Sequence, residues 1–123
     1  MAPMPLHRQV VLVSDDLMFR SQLEAAVRGT GGKVLGAAVG APVPAADAVF
    51  VDLNAQPGHR LGLIATLRQD RPETPIVAFC HHGEKELREA AMRVGATSCI
   101  TNGALQAVAL RLAGAGAPSG DPA

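Results

Sequence analysis

Short apolar runs alternate along this chain with segments in which apolar residues recur at helical spacing. Two of the runs are residues 10–16, VVLVSDD, and residues 49–54, VFVDLN. Both are as long as a strand and end abruptly at carboxylates, as buried parallel strands do where they leave a sheet. The pattern therefore predicts a parallel sheet with an acidic carboxyl edge.

Five such runs predict strands at residues 9–14, 33–39, 48–53, 75–80 and 96–101. Helical spacing predicts helices that begin at residue 17, include residues 61–67, span residues 84–94 and follow residue 102. Asn102 is a candidate cap for the last helix, whereas Pro57 and Gly58 are interpreted as turn residues.

The connection at residues 40–47 carries two prolines and is too short for a crossover helix, so it predicts a loop or a single turn. Elsewhere strands alternate with helices, which is typical of the α/β class. We predict a flavodoxin-like, doubly wound, five-stranded parallel sheet in the order 2-1-3-4-5, with the second helix short or absent.

The amino-acid composition excludes several classes of function. Of the 123 residues, 48% are hydrophobic, which is enough for the core of one domain. Acidic and basic side chains, eleven of each, cancel, so we expect no nucleic-acid partner and no membrane partner. Without a membrane span or a secretion signal, the expected location is cytoplasmic. We expect a flexible leader at residues 1–8, a domain at 9–113 and a disordered tail at 114–123.

The acidic residues at the ends of the first and third strands are the main candidates for chemistry. If these strands are neighbours, Asp15, Asp16 and Asp52 meet at one edge of the sheet. Carboxylate oxygens suit a hard divalent cation, and carboxylates so close together would otherwise repel one another. The sequence therefore predicts a possible Mg²⁺ site there, with Asp52→Asn raising the stability of the metal-free fold.

Other interpretations of the polar residues at this edge stay open. Asp15 and Asp16 are also favourable helix caps, and Asp52 also fits a solvated turn. His81 and His82 follow the fourth strand at the same edge. They are either solvated loop residues, partners of a carboxylate or ligands of a soft metal.

The two cysteines, Cys80 and Cys99, lie in strand-like runs and lack metal-ligand spacing. They are interpreted as small buried hydrophobic residues. We expect no disulfide, because Cys80 opposite Asn102 would leave the thiols offset by three residues of about 3.3 Å each.

The order of these features resembles the receiver domains of bacterial response regulators over residues 9–113. The shared features are an acidic pair after the first strand, an Asp closing the third, a Pro before the fourth and Gly-Ala before the fifth. The resemblance implies that Asp52 accepts a phosphoryl group. It also implies that Asp15 and Asp16 bind Mg²⁺ together with Asp52 and the backbone carbonyl of Asn54. A Mg²⁺ ion there would neutralise charge on the transferring group.

The chain departs from that family at its switch positions. Cys80 stands where receivers carry the Ser or Thr that holds the phosphoryl oxygen. Asn102 replaces the Lys that clamps the phosphoryl group, and Cys99 replaces the aromatic residue that changes rotamer. These departures are the pattern of an atypical receiver, or pseudo-receiver.

Three functions follow as alternatives. The first is a stand-alone, non-enzymatic signalling module that binds a histidine kinase or another signalling protein through residues 84–112, without regulation by phosphorylation, as a monomer or weak homodimer. The second is a genuine response regulator phosphorylated on Asp52 with Mg²⁺. The third is a small-ligand flavodoxin-like domain, which the anionic loop after the first strand disfavours.

Overall fold

Five parallel strands form one sheet in the computed structural model, which describes residues 9–37 and 40–113. The strand order β2-β1-β3-β4-β5 confirms the predicted topology. The strands are β1 Gln9–Val13, β2 Lys33–Ala37, β3 Ala48–Asp52, β4 Ile76–Cys80 and β5 Ser98–Thr101. The predicted leader and tail lie outside the described residues.

Four α-helices cover the sheet: α1 Leu17–Arg28, α2 Pro57–Asp70, α3 Lys85–Val94 and α4 Leu105–Ala113. Helices α1 and α4 pack together on one face, and α2 and α3 pack on the other. Within the described ranges, no helix is long and apolar enough to cross a membrane.

Each face of the sheet has its own apolar core, because successive strand residues point to opposite sides. On the α1 side Phe50 and Phe79 pack against α1 and α4, and the rings of Phe19 and Phe79 meet edge to face at 4.9 Å. On the α2 side Val49 and Ile76 pack against α2 and α3. The central strands β3 and β4 are buried along their whole length, so the site at their ends rests on a packed support.

The connection between β2 and β3 contains no helix over residues 40–47, as predicted. Arg71, just after α2, holds this segment against the domain. Its guanidinium donates to the carbonyl of Pro44 at 2.9 Å and to that of Val43. One side chain thus replaces part of the contact that a covering helix would make.

The interpretation of Pro57 and Gly58 as turn residues was wrong, because α2 begins at Pro57. The turn lies one residue earlier, at Gln56, whose φ of 51° is in the left-handed region. Pro suits the first position of a helix, where its fixed φ is already helical and a backbone N–H is not needed.

Candidate functional site

Asp52, the last residue of β3, is the buried centre of the acidic edge, with 3% of its surface exposed. Its Oδ2 accepts a hydrogen bond from Ser14 Oγ at 2.7 Å. Its Oδ1 accepts from the backbone N–H and the Nδ2 of Asn54, at 2.8 and 2.7 Å. Asp52 is therefore a buried carboxylate with both oxygens hydrogen-bonded, and not a solvated turn residue.

Asn102 reaches this site through Asn54. The Nδ2 of Asn54 donates to Asn102 Oδ1 at 2.9 Å, and the Nδ2 of Asn102 donates back to Asn54 Oδ1 at 3.1 Å. Asn102 begins a 3₁₀ turn, Asn102–Ala104, before α4, and its side chain pairs with Asn54 instead of capping the helix, so the predicted cap was wrong. An uncharged amide pair thus links the end of β5 to the carboxylate of Asp52.

The adjacent acidic residues have separate roles. Asp16 caps α1, since its Oδ1 accepts from the backbone N–H of Met18 at 2.8 Å, while its own N–H donates to Ser14 Oγ at 3.0 Å. The Asp15 side chain is 63% exposed and lies 3.5 Å from Nη2 of Arg60. The capping alternative therefore describes Asp16.

Arg60 belongs to this site and was missed in the sequence. It lies in the first turn of α2 and is 1% exposed. Its Nη1 donates to the carbonyl of Asp52 at 2.8 Å and to that of Val13 at 3.3 Å. Its position in the sequence could have indicated this. Arg60 lies four residues before Ile64 and seven before Leu67, so all three share the buried face of α2.

The four predicted metal residues, Asp15, Asp16, Asp52 and Asn54, do line one open depression at the end of the sheet. Within residues 9–37 and 40–113, however, no three His, Cys, Asp or Glu side chains are grouped so that they could hold a metal ion. Both Asp52 oxygens are already hydrogen-bonded, and one Asp16 oxygen caps α1. In this arrangement the residues do not fit a Mg²⁺ ion.

The histidines lie beside the site without joining it. His81 lines a cleft of about 710 Å³ that is also bordered by Cys80 and Asn102. His82 is exposed, and its backbone carbonyl accepts from Nη1 of Arg88 at 3.0 Å. Among the described hydrogen bonds, neither imidazole contacts a carboxylate, so a role for these rings stays a prediction.

The cysteines are free, and burial controls their chemistry. Cys80 lies opposite Thr101, not opposite Asn102 as the sequence argument assumed, so Cys80 and Cys99 are offset by two residues and share one face of the sheet. Burial raises the pKa of Cys80. Burial, with the neighbouring Cys80 thiol, raises the pKa of Cys99 from 9.0 to about 12. Both are therefore protonated, poorly nucleophilic thiols at neutral pH.

We expect the thiol of Cys99 to resist alkylation in the folded protein. At pH 8 a pKa near 12 leaves a thiolate fraction roughly a thousandfold below that of a thiol with the ordinary value of 9.0. Iodoacetamide labelling, with peptide mapping, should therefore be slow at pH 8 and accelerate up to about pH 12 while the fold persists. The control is the same chain in urea, and equal rates in the two states would contradict the assignment.

Known proteins are similar to this chain in sequence and in fold. Over 99 residues it is 32% identical to the photosynthetic apparatus regulatory protein RegA of Rhodovulum sulfidophilum, a match that covers 75% of this chain and 54% of RegA. The chain thus spans about half the length of that relative. No protein-family model matches it.

Two solved structures show the same architecture. The CheY-like protein TadZ of Pseudomonas aeruginosa PAO1 has a TM-score of 0.74 at 23% identity, over 95% of this chain and 100% of that one. A response regulator protein of Burkholderia multivorans has a TM-score of 0.68 at 26% identity, over 94% of this chain and 100% of that one.

The sheet order and flanking helices define a CheY-like, flavodoxin-like domain. Its acidic edge and its regulatory relatives specify the kind of domain further: the chain is a receiver domain of the response-regulator type.

Proposed function

We propose that this receiver domain is a pseudo-receiver, a non-enzymatic signalling module that acts by binding a protein and not by accepting phosphate. One observation carries the proposal: the carboxylate that would accept the phosphoryl group is buried, with both oxygens held by Ser14 and Asn54. Attack on a phosphoryl donor needs an accessible carboxylate oxygen aligned with phosphorus, whereas Asp52 is 3% exposed.

The groups around Asp52 also lack what a phosphorylated state would need. Asn102 supplies an amide already paired with Asn54, so no ammonium group offsets the added negative charge. Cys80 is a buried, weak donor with a raised pKa, and Cys99 has no ring that could move between buried and exposed positions. A phosphoryl group would therefore be poorly stabilised and poorly coupled to distant surfaces.

The surface that we assign to partner binding is residues 84–112, which includes α3, β5 and α4. It exposes two large apolar side chains, Met92 at 48% and Leu110 at 52%. The proposed partner is a histidine kinase or another signalling protein, bound by a monomer or weak homodimer in the cytoplasm. The balanced net charge argues against nucleic acid and membrane surfaces as partners.

A second candidate function is phosphorylation of Asp52 with Mg²⁺. The observation that favours it is the open depression at the sheet edge, which Asp15, Asp16, Asp52 and Asn54 line together. For this function Asp52 would have to release a hydrogen bond from Ser14 or Asn54 before it could attack. Breaking that hydrogen bond would cost free energy, which disfavours this candidate.

Incubation with acetyl phosphate and Mg²⁺, followed by intact mass measurement, separates the two functions. We expect no phosphoryl adduct under conditions in which an ordinary receiver domain, tested in parallel, is modified. The variant Asp52→Asn is the control for adducts on other residues. An adduct that forms on the native chain and disappears in this variant would replace our proposal by the second candidate.

A further inference from the structure

Asp52 and Arg60 are the two charged residues that are buried within the described part of the chain. They are in direct contact, since Arg60 Nη1 donates to the backbone carbonyl of Asp52 at 2.8 Å. A buried ion is stable only when hydrogen bonds and an opposite charge compensate for the loss of water. The described ion pairs join Arg60 to the carboxylate of Asp15, at 3.5 Å, and the buried carboxylate of Asp52 lies at the same sheet edge. The guanidinium therefore brings a positive charge to the acidic edge.

The guanidinium of Arg60 joins the carboxyl ends of β1 and β3, the two strands that carry the acidic edge. It contacts the carbonyl of Val13 at the end of β1, the carbonyl of Asp52 at the end of β3, and the carboxylate of Asp15 after β1. All three partners are oxygen atoms, two of them on the residues that the sequence assigns to a cation site. The positive charge therefore lies at the acidic edge, in contact with the carboxylate of Asp15 and with the backbone carbonyl of Asp52.

We infer that Arg60 is the resident cation of this site, so that the acidic edge is neutralised by a side chain and binds no divalent cation. The inference is independent of the partner surface, because it concerns only what balances the charge of Asp52 and Asp15. It also explains why a long cationic side chain occupies a buried position next to Ile64 and Leu67. An apolar residue would fill that face at a lower desolvation cost, and the Nε of Arg60 has no hydrogen-bond partner in the described structure.

Arg68 provides a matched control on the same helix. It too makes several hydrogen bonds, to the carbonyls of Gly95 and Thr74 and to the hydroxyl of Thr97, but the described ion pairs include no carboxylate partner for it. Loss of Arg68 should cost stability without creating a cation site. A comparison of variants at Arg60 and Arg68 therefore distinguishes the loss of a compensating charge from the loss of packing and hydrogen bonds.

The test compares the native chain with Arg60→Met, Arg60→Lys and Arg68→Met. Direct binding is measured with Mn²⁺ by electron paramagnetic resonance, and stability is measured by thermal unfolding across a Mg²⁺ titration. Far-ultraviolet circular dichroism is the suitable readout, because the chain has neither Trp nor Tyr.

We expect the native chain, Arg60→Lys and Arg68→Met to bind no Mn²⁺ and to unfold at temperatures that do not change with Mg²⁺. Arg60→Met should unfold at a lower temperature, bind about one Mn²⁺, and regain roughly 5 °C or more in saturating Mg²⁺. If Arg60→Met folds only when Mg²⁺ is present, that result would also support the inference.

Saturable Mn²⁺ binding by the native chain would overturn the inference, because the guanidinium would then not stand in for a metal. The same holds if Arg60→Met is folded and ignores divalent cations, or fails to fold at every Mg²⁺ concentration. In those cases Arg60 serves packing alone. Mass measurement with acetyl phosphate reports on the proposed function separately, so failure of one does not imply failure of the other.

Discussion

Replacement of Asp52 by Ala is expected to lower the free energy of unfolding by about 2–4 kcal/mol, because three hydrogen bonds to a buried, charged acceptor are lost. The variant leaves Ser14 Oγ and the side-chain amide of Asn54 without their acceptor, whereas the hydrogen bond of Arg60 to the backbone carbonyl at position 52 remains. Urea unfolding followed by circular dichroism measures the loss.

The control for Asp52→Ala is Asp15→Asn. This side chain is 63% exposed and its ion pair with Arg60 is long, at 3.5 Å, so we expect a loss below about 1 kcal/mol. If Asp52→Ala were as mild as Asp15→Asn, Asp52 would not be the structural centre of the site. A free, reactive carboxylate would then be the better description.

Replacement of Arg68 by Ala is expected to cost about 1–3 kcal/mol, because partly buried carbonyls lose a charged donor that cannot be replaced locally. Its Nε donates to the carbonyl of Gly95 at 2.8 Å, its Nη1 to that of Thr74 at 2.9 Å, and its Nη2 to Thr97 Oγ1 at 2.8 Å. These bonds tie the end of α2 to the turn after α3.

The control for Arg68→Ala is Arg93→Ala, an exposed Arg in the last turn of α3, which should change stability by less than about 0.5 kcal/mol. Equal urea midpoints for the two variants would show that the hydrogen bonds of Arg68 add nothing to the stability of the fold. Arg68→Lys should fall between them, since an ammonium cannot reach three directions in one plane.

The sheet was predictable from the sequence because each strand is marked by residues that are adjacent in the chain. Apolar runs ending at Asp15 and Asp52 mark buried parallel strands, and residues 40–47 are too short for a crossover helix. The strand order and the missing helix are therefore confirmed.

The inner arrangement of the site was not predictable in the same way, because it depends on contacts between distant residues. Ser14 and Asp52 are 38 residues apart, and Asn54 and Asn102 are 48 apart. Arg60 was missed because arginine is mostly exposed in proteins, so its position on the buried helix face carried little weight.

These contacts reverse one expectation. From the sequence, crowded carboxylates predict that Asp52→Asn raises the stability of the metal-free fold. In the structure the carboxylate of Asp52 accepts three hydrogen bonds, from Ser14 and Asn54, so we now expect Asp52→Asn to lower that stability. The sign of the effect depends on hydrogen-bond donors that only the fold brings to the carboxylate.

The central claim is that this receiver domain signals without phosphorylation, and beryllofluoride, a mimic of the phosphoryl group, tests it most directly. Amide chemical shifts of the isotope-labelled chain are recorded before and after addition of beryllofluoride and Mg²⁺. We predict that the shifts over residues 84–112 stay nearly unchanged, because both oxygens of Asp52 are buried and hydrogen-bonded and Cys80 and Cys99 provide no moving switch. Large shifts across residues 84–112 that are absent in Asp52→Asn would contradict the claim and establish a phosphorylation-responsive receiver.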